Sequence, residues 1–357
     1  MVRVYKQQNV LEAAKERIAM LFDRYRHVTV MVSGGKDSSV IFYLAYKEAV
    51  KRGRKLMVAF IDQEAEYRAT IDVIRSIAAL PNVVMSWLQV PFLMTNSASY
   101  QQDYLHCWDG GQVRRYEAKS IRSIGDTKNL TWEKLLPLLE KHFTSPTAQI
   151  IGLRSAESLN RYRAVTKHAA VEGICWSSKT TNEKLTNFYP IYDWGFDDVW
   201  RYIYDENITY NRIYDFQFAK DYPKDEMRIS CLIHEKSYRC LVDLPEFEPD
   251  TFEWLCRRCK GIDTAMRYAK EKQMYSNGRL PSHYKSWRDF RDFLLENHPN
   301  QKQKQRFTNR FKNHPENEQV YKQQVGQLLI NDWENITEVT INTERREEMR
   351  RKYLDVL

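Results

Sequence analysis

Seven consecutive residues, Ser33-Gly34-Gly35-Lys36-Asp37-Ser38-Ser39, put two glycines, a lysine, a carboxylate and three hydroxyls into one turn. The mostly β-branched Val28–Val32 precedes them and an apolar helical pattern follows, so the turn joins a strand to a helix. Such a turn gathers unsatisfied backbone N–H groups and the positive end of a helix dipole at one point, which suits an anion. Gly34 and Gly35 allow backbone conformations and a close approach that side chains would block. Lys36 adds a point charge, and Ser33, Ser38 and Ser39 offer hydroxyls to phosphate oxygens. Asp37, in the first helical turn, has two readings: it orients Lys36, or it holds a magnesium ion. The spacing is not that of a P-loop, which places a longer spacer before its Gly-Lys pair.

A second group lies in Arg154, Glu157 and Arg161. Arg154 directly follows the apolar run Gln149–Leu153, at the strand end where open α/β sheets bind ligands. With a helix read from Ala156 to Ala170, Glu157 and Arg161 share a face, and the set can aim two guanidiniums at phosphates while Glu157 steadies one. The competing reading is a solvated Glu–Arg pair. Asp62, just past another strand, stands as a contact to ribose, adenine or magnesium, or equally as a helix-capping carboxylate. Trp194 and Trp200 read as core, and Asp193 as a residue fixing a loop near the site. Cys256 and Cys259 form half of a metal pattern that Cys231 and His234 would complete as a zinc site. Against this, FEWLCRRCKGIDTAMRYA reads as one continuous helix, which favours ordinary packed thiols. Cys231 also stands as a residue bordering the active site.

The elements that must position these groups alternate. Helical spacing runs from Asn9 to Arg26, and strands read at Val28–Val32, Leu56–Ile61 and Val83–Val90. Helices lie between them at Asp37–Lys51 and Tyr67–Ala79. This is the signature of an α/β fold: a doubly wound, mainly parallel sheet with helices on both faces. Pro91–Asp126 breaks the pattern as a long irregular loop, the kind that serves a function or a lid. A helix at Trp132–His142, the strand Gln149–Leu153 and a helix at Phe196–Glu206 follow. Beyond Met227 the pattern is helical: Glu253–Lys272, Ser286–Glu296, Asn317–Ile330 and a short charged helix at Glu344–Lys352. The chain divides into a nucleotide-binding domain, residues 1–220, and a mostly helical basic extension, residues 221–357.

The 357 residues are 43% hydrophobic and 29% charged, enough for a sizeable core. No apolar run is long enough to span a membrane, no signal peptide is visible, and the six cysteines do not read as a secreted disulfide framework. A cytoplasmic location without membrane contact is the expectation. The net charge of +8 is uneven: from Arg257 to Leu357 there are 21 Lys+Arg against 14 Asp+Glu, a difference of +7. Between Arg279 and Lys312, nine basic residues interleave with Tyr284, Trp287, Phe290, Phe293, Phe307 and Phe311. Two readings stand for that stretch: nucleic acid binding, or a solvated helical face over a small aromatic core.

The loop SGGKDSS resembles the pyrophosphate-binding loop of the N-type ATP pyrophosphatases and of the phosphoadenosine phosphosulfate (PAPS) reductases. Ile61-Asp62 with QEAEYRAT is similar to the segment of that superfamily next to the adenosine. Gly152–Arg163 (GLRSAESLNRYR) and Tyr189–Ile203 (YPIYDWGFDDVWRYI) are similar to stretches of PAPS reductases. The long aromatic insert, the basic extension, Met227–Glu235 and DTAMRYAKEK resemble the immunoglobulin-binding regulator A group most closely. The resemblance implies an adenine nucleotide as ligand, either ATP with magnesium or PAPS, and for that group a ParB-like partner protein. It implies that Ser33 through Ser39, Asp62 and Glu157 hold the nucleotide, and that Lys36, Asp37, Arg154 and Arg161 carry catalysis. PAPS reductases attack sulfate with a C-terminal cysteine, and this chain has no cysteine after Cys259. The intact loop therefore points to ATP, with attack at the α-phosphate, pyrophosphate release and an acceptor that is not legible. The alternatives are PAPS or adenylyl-sulfate reduction or sulfotransfer using Cys231 or a partner's thiol, and a nucleotide-binding regulatory or defence protein without turnover.

Overall fold

The structure, a computed structural model, describes residues 7–99, 102–110, 113–166, 171–224, 226–234, 237–269, 280–335 and 339. The helix expected at Glu344–Lys352 lies outside the described residues, as do Glu235, Lys270–Lys272 and Arg279. Two compact units divide the chain: Met1–Met94 with His106–Leu232, and Thr95–Leu105 with Ile233–Leu357.

The first unit is the expected doubly wound α/β fold. Its strands are β1 (His27–Met31), β2 (Leu56–Ile61), β3 (Val83–Leu88), β6 (Thr147–Ile151), β7 (Ser177–Lys179) and β8 (Leu185–Phe188). They form one sheet in the order β3-β2-β1-β6-β8-β7, parallel throughout except for β7. Where the chain leaves this unit and returns, β4 (Phe92–Thr95) and β5 (Tyr104–Cys107) pair with each other. The helices are α1 (Val10–Arg24), α2 (Lys36–Lys51), α3 (Arg68–Ala78), α4 (Trp132–Glu140), α5 (Leu159–Thr166), α6 (Phe196–Asp205) and α7 (Ile213–Ala219). Val28 and Val30 on one face of β1 and Thr29 on the other are all buried, because the central strand is covered on both sides, which is why its residues are mostly apolar. Ile71, Ile74 and Ile77 of α3 join the same core, each such buried side chain contributing about 1.5–3 kcal/mol.

Two expected elements change form. The Pro91–Asp126 segment is not wholly irregular: besides β4 and β5, the Ile121 N–H donates to the Trp87 carbonyl at 2.7 Å and the Gln89 N–H to the Ile121 carbonyl at 2.9 Å. A bridge of one residue leaves no periodicity to read. The helix expected over Ala156–Ala170 is broken. A 3-10 turn, Ser155–Glu157, is followed by extended Ser158 (φ −163°, ψ 159°), whose hydroxyl accepts from the Arg161 N–H at 3.2 Å before α5 continues. That serine competes for the backbone as a cap.

In the second unit the helix expected over Glu253–Lys272 is two helices, Pro249–Arg258 and Ile262–Ala269. Gly261 separates them at φ +88°, where a Cβ would lie 2.7 Å from the Ala98 carbonyl oxygen. Helices Gln301–Phe311 and Glu318–Leu329 close over a small core of Phe307, Phe311, Leu328 and Trp333. Phe307 and Phe311, two of the four phenylalanines of the basic stretch, are thus core, not stacking platforms. Arg306 lies over the Trp333 ring at 4.4 Å and Arg310 donates to the Asp332 carbonyl at 2.9 Å, so two of its cations turn inward as well.

Candidate functional site

β1 and β6 run side by side, paired from His27↔Thr147 to Met31↔Ile151, so their carboxyl ends finish level. The order of strands reverses there, since β2 and β3 extend to one side and β6 and β8 to the other. Ligands of open α/β sheets bind in the crevice at such a point. Both sequence clusters arrive at it: Ser33–Ser39 after β1, and Gly152-Leu153-Arg154 after β6.

The three glycines here do different work. Gly34 has φ +71°, and a Cβ on it would meet Thr70 Cγ2 at 2.8 Å. Gly35 caps α2 with an ordinary φ of −84°, and its Cβ would come no nearer than 3.4 Å to the Tyr214 hydroxyl. The strained turn is therefore at Gly34, and Gly35 is not required by its dihedrals. Gly152 sits where the end of β6 presses on α2: a Cβ there would be 2.7 Å from the Asp37 carbonyl oxygen and 2.9 Å from the Ser38 nitrogen.

The loop is knitted by its own hydroxyls. Ser38 Oγ accepts from the Ser33 N–H at 3.1 Å and donates to the Gly35 carbonyl at 2.9 Å. Ser39 is fully buried, and its hydroxyl has no hydrogen-bond partner among the described residues. The Lys36 N–H donates to the Tyr214 hydroxyl at 3.1 Å. The N–H groups of Gly35, Asp37 and Ser38 have no acceptor among the described residues.

Charge runs through the site as a chain. Lys36, 4% exposed, holds its Nζ 3.2 Å from Asp37 Oδ2 and donates to the Met227 carbonyl at 3.2 Å. Burial pulls the Lys36 pKa down, Asp37 opposes that, and the Arg154 charge adds to it. The other oxygen of Asp37 accepts from Arg154 Nε. Arg154 Nη2 lies 3.6 Å from Glu157, which pairs in turn with Arg161. The Glu157–Arg161 pair thus forms across the break at Ser158, not along one continuous helix. Three cations surround two carboxylates. Both Asp37 oxygens are engaged by cations, so the donor set fits the orienting role of Asp37 and does not fit a magnesium ligand.

Asp62 is fully buried and turned inward. Its oxygens accept from the Glu64 N–H, Trp87 Nε1 and Gln89 Nε2, each at 3.0 Å, and Arg115 lies 3.8 Å away. These bonds close the turn after β2, and the helix that follows, α3, has Tyr67 at its cap, so Asp62 is not the helix-capping carboxylate of the expectation. Glu64 follows with φ +64°. Its carboxylate accepts from the Trp108 N–H at 2.6 Å, and Trp108 Nε1 donates to the Asp62 carbonyl at 2.6 Å. Glu66 is buried beside them. Burial, reinforced by Asp62 and opposed by Arg115, holds its carboxyl well above the usual carboxylate range.

Several residues that support the site were not singled out in the sequence. Asn211 Nδ2 donates to Thr70 Oγ1 at 3.0 Å and reaches the Gly34 carbonyl at 3.4 Å. Gln217 donates to the Arg228 carbonyl at 2.8 Å, and the Leu232 N–H to the Ala65 carbonyl at 2.8 Å, which lays residues 227–232 along the same edge. Buried Cys231 travels with that segment. Asp193 takes a two-pronged bond from Arg17 of α1 at 2.7 and 2.8 Å, and Trp194 is core, donating to the Val10 carbonyl at 3.0 Å. Cys231, Asp193 and Trp194 are singled out in the sequence; of the supporting residues that are not, Gly152, the first residue past an apolar strand, left a visible sign, while Asn211 and Gln217 depend on distant segments.

Among the described residues no three His, Cys, Asp or Glu side chains group closely enough to hold a metal ion. Cys231, His234, Cys256 and Cys259 therefore do not assemble the zinc site considered above. Cys256 lies within a helix, and Cys259 is its extended cap (φ −123°, ψ 122°), so the pair does not form a knuckle turn. No helix among the described residues is long and apolar enough to cross a membrane.

A family model described as the phosphoadenosine phosphosulfate reductase domain matches residues 27–220, and one described as a domain of unknown function (DUF3440) matches residues 222–355. The uncharacterized protein YbdN of Escherichia coli (strain K12) is 27% identical over 361 residues, covering 94% of this chain and 88% of that protein. Adenosine 5'-phosphosulfate reductase 2 of Bacillus subtilis (strain 168) is 24% identical over 166 residues, 46% of this chain and 59% of that protein. Among solved structures, phosphoadenylyl-sulfate reductase from Candida auris, as a phosphate complex, aligns over 60% of this chain and 93% of its own, with 13% identity and a TM-score of 0.32.

Proposed function

The chain belongs to the phosphoadenosine phosphosulfate reductase domain family, and from that premise we propose that it is an enzyme that binds ATP and cleaves it at the α-phosphate. One observation carries the choice of ATP: the loop is complete as a diphosphate cradle. Gly34 is in its left-handed turn, the amides of Gly35, Asp37 and Ser38 have no acceptor among the described residues, and Lys36 is held at their side by Asp37. In this reading the β- and γ-phosphates lie on those amides and on Lys36. An acceptor nucleophile bonds to the α-phosphorus, the bond from that phosphorus to the bridging oxygen of the β-phosphate breaks, and pyrophosphate leaves. Lys36 neutralises charge on the leaving group. Arg154 and Arg161 act on the α-phosphate side, with Asp37 and Glu157 orienting them. Asp62 shapes the loop after β2 and does not itself meet the ligand. Within the family we place the chain nearest the immunoglobulin-binding regulator A group, on the motifs described above. A ParB-like partner rests on that resemblance alone.

A second reading, sulfur chemistry on PAPS or adenylyl sulfate, draws on one observation. Cys231 belongs to the segment whose Met227 carbonyl takes Lys36. Reduction by that route needs a dithiol such as thioredoxin as electron donor. Titration of ATP, AMP and PAPS, with pyrophosphate and sulfite release followed in parallel, separates these readings. Pyrophosphate release that requires Lys36 supports the first. Sulfite release from PAPS that dies with Cys231→Ser replaces it with the second. Tight ATP binding without release of either product leaves a nucleotide-binding regulatory protein.

A further inference from the structure

Between Asn297 and Pro315 five residues are Lys or Arg and none is Asp or Glu. Most of that run is the helix Gln301–Phe311, and its two faces differ. Inward, Phe307 and Phe311 pack with Leu294 and Leu295 of the helix Trp287–Glu296. Gln303 is buried on the same side and donates to Asp103 at 2.7 Å. Outward stand Lys302, Gln305, Asn309, Lys312 and Asn313, all exposed. The intervals of three and four residues from Lys302 to Lys312 keep them on one face. Gln305 donates to Asn309 at 2.9 Å, which holds two amides side by side. Neither lysine has an ion pair among the described residues. The start of the helix is fixed: Asn300 Oδ1 accepts from the N–H groups of Lys302 and Gln303 at 3.0 and 3.1 Å. Residues 297–300 alone join the two helices, a connection of the length found in helix-turn-helix modules.

A fixed face of lysines and amides without a carboxylate matches a polyanion that also offers hydrogen-bonding edges. What the face lacks narrows the choice. It carries no aromatic ring on which a base could stack, and other aromatics of the stretch are engaged with neighbours: Tyr284 stacks on Phe290 with centroids 4.6 Å apart, and Lys322 lies over Trp287 at 5.3 Å. A single strand, held chiefly by such stacking, finds no platform. The B-form major groove, about 12 Å wide, admits an α-helix, whereas the A-form major groove of duplex RNA is too narrow. Ten residues separate Lys302 from Lys312, about 15 Å of helix, enough to reach phosphates on both sides of a B-form groove. We propose that the outer face of the helix Gln301–Phe311 binds duplex DNA, with Lys302 and Lys312 on phosphates and Gln305 and Asn309 toward the base edges. This gives the second unit a binding role of its own, independent of the nucleotide reading of the first.

The test is fluorescence anisotropy of a labelled DNA duplex of about 20 base pairs, two helical turns, titrated with the full chain across a salt series. The matching single strand and an RNA duplex are titrated in parallel. Two double variants are compared with wild type: Lys302→Ala with Lys312→Ala, and, as a control, Lys15→Ala with Lys51→Ala, exposed lysines of the first unit. All four side chains are exposed, and unchanged melting curves verify the fold. Wild type binds the DNA duplex. In Lys302→Ala with Lys312→Ala the slope of log affinity against log salt becomes shallower by about 2, with a loss of roughly tenfold or more at about 0.1 M salt. The control pair keeps the wild-type slope and affinity. Absence of duplex binding at low salt, or a slope that the Lys302 and Lys312 changes leave untouched, overturns the inference. An equal loss in the control pair also overturns it, because the attraction is then that of a chain of net charge +8 and not of this helix. Tighter binding of the single strand or of the RNA duplex overturns the assignment to DNA.

Discussion

The carboxyl ends of β1 and β6 and the carboxyl ends of β2 and β3 lie along one sheet edge, and each gathers buried charge. At the first, cations exceed carboxylates, and three backbone N–H groups have no acceptor among the described residues. At the second, the carboxylates of Asp62 and Glu64 are matched by donors from Trp87, Gln89 and Trp108. The difference teaches how to rank buried charge. A group whose hydrogen-bonding capacity is met from within holds structure together, while a place with surplus donors and surplus positive charge is built to receive something.

The comparison breaks first at Arg154. Arg154→Met removes a cation from Asp37 in a pair whose side chains are 4% and 12% exposed. Lys36 remains, so the cost is expected at about 3 kcal/mol of stability, read from urea unfolding, together with loss of pyrophosphate release. A loss below about 1 kcal/mol would class the pair with surface ion pairs. Gly152→Ala comes next. Its Cβ would meet backbone, which cannot move as a side-chain tip does, so about 2–3 kcal/mol of stability and weakened ATP binding are expected. Gly35→Ala, with only a 3.4 Å contact to the Tyr214 hydroxyl, is expected to cost less, and the reverse ranking would show the glycines misassigned.

Lys36→Ala sharpens the site side of the comparison. Loss of a charge-assisted contact costs about 1.5–3 kcal/mol, roughly tenfold to a hundredfold in ATP affinity, with AMP barely affected. Equal losses for the two nucleotides would mean that Lys36 does not meet the terminal phosphates. Glu66→Gln tests the other side. The folded-state pKa of Glu66 is raised, so the unfolded chain gives up its proton first and stability falls as pH rises above the unfolded value of about 4.5. The glutamine variant should melt higher than wild type at pH 8 and alike at pH 4. Each pKa unit corresponds to about 1.4 kcal/mol, or about 2 °C in a chain of this size. A variant that melts lower at pH 8 would show that the carboxylate is held charged.

The sequence by itself determined the alternation of strands and helices, because a buried parallel strand and an amphipathic helix each write their period into neighbouring residues. It also determined the loop, since Ser33–Ser39 is contiguous and its glycines, lysine and hydroxyls act through local backbone. Arg154, Glu157 and Arg161 were legible as a charged set beside a strand, although Ser158 breaks the helix that was to carry them. Tertiary structure alone decided what these groups touch. Thr70 and Asn211 brace Gly34, Tyr214 meets the Lys36 N–H, and Met227 takes Lys36 Nζ, although the last two lie 178 and 191 residues away in sequence. No local period encodes such a meeting. It arises because parallel strands end together, so the turns that follow β1 and β6 converge only once the sheet has formed. The same physics turned Asp62 inward: its partners Trp87 and Gln89 come from the next strand and the residue just past it, and which side a carboxylate faces is settled by the donors the fold brings to it.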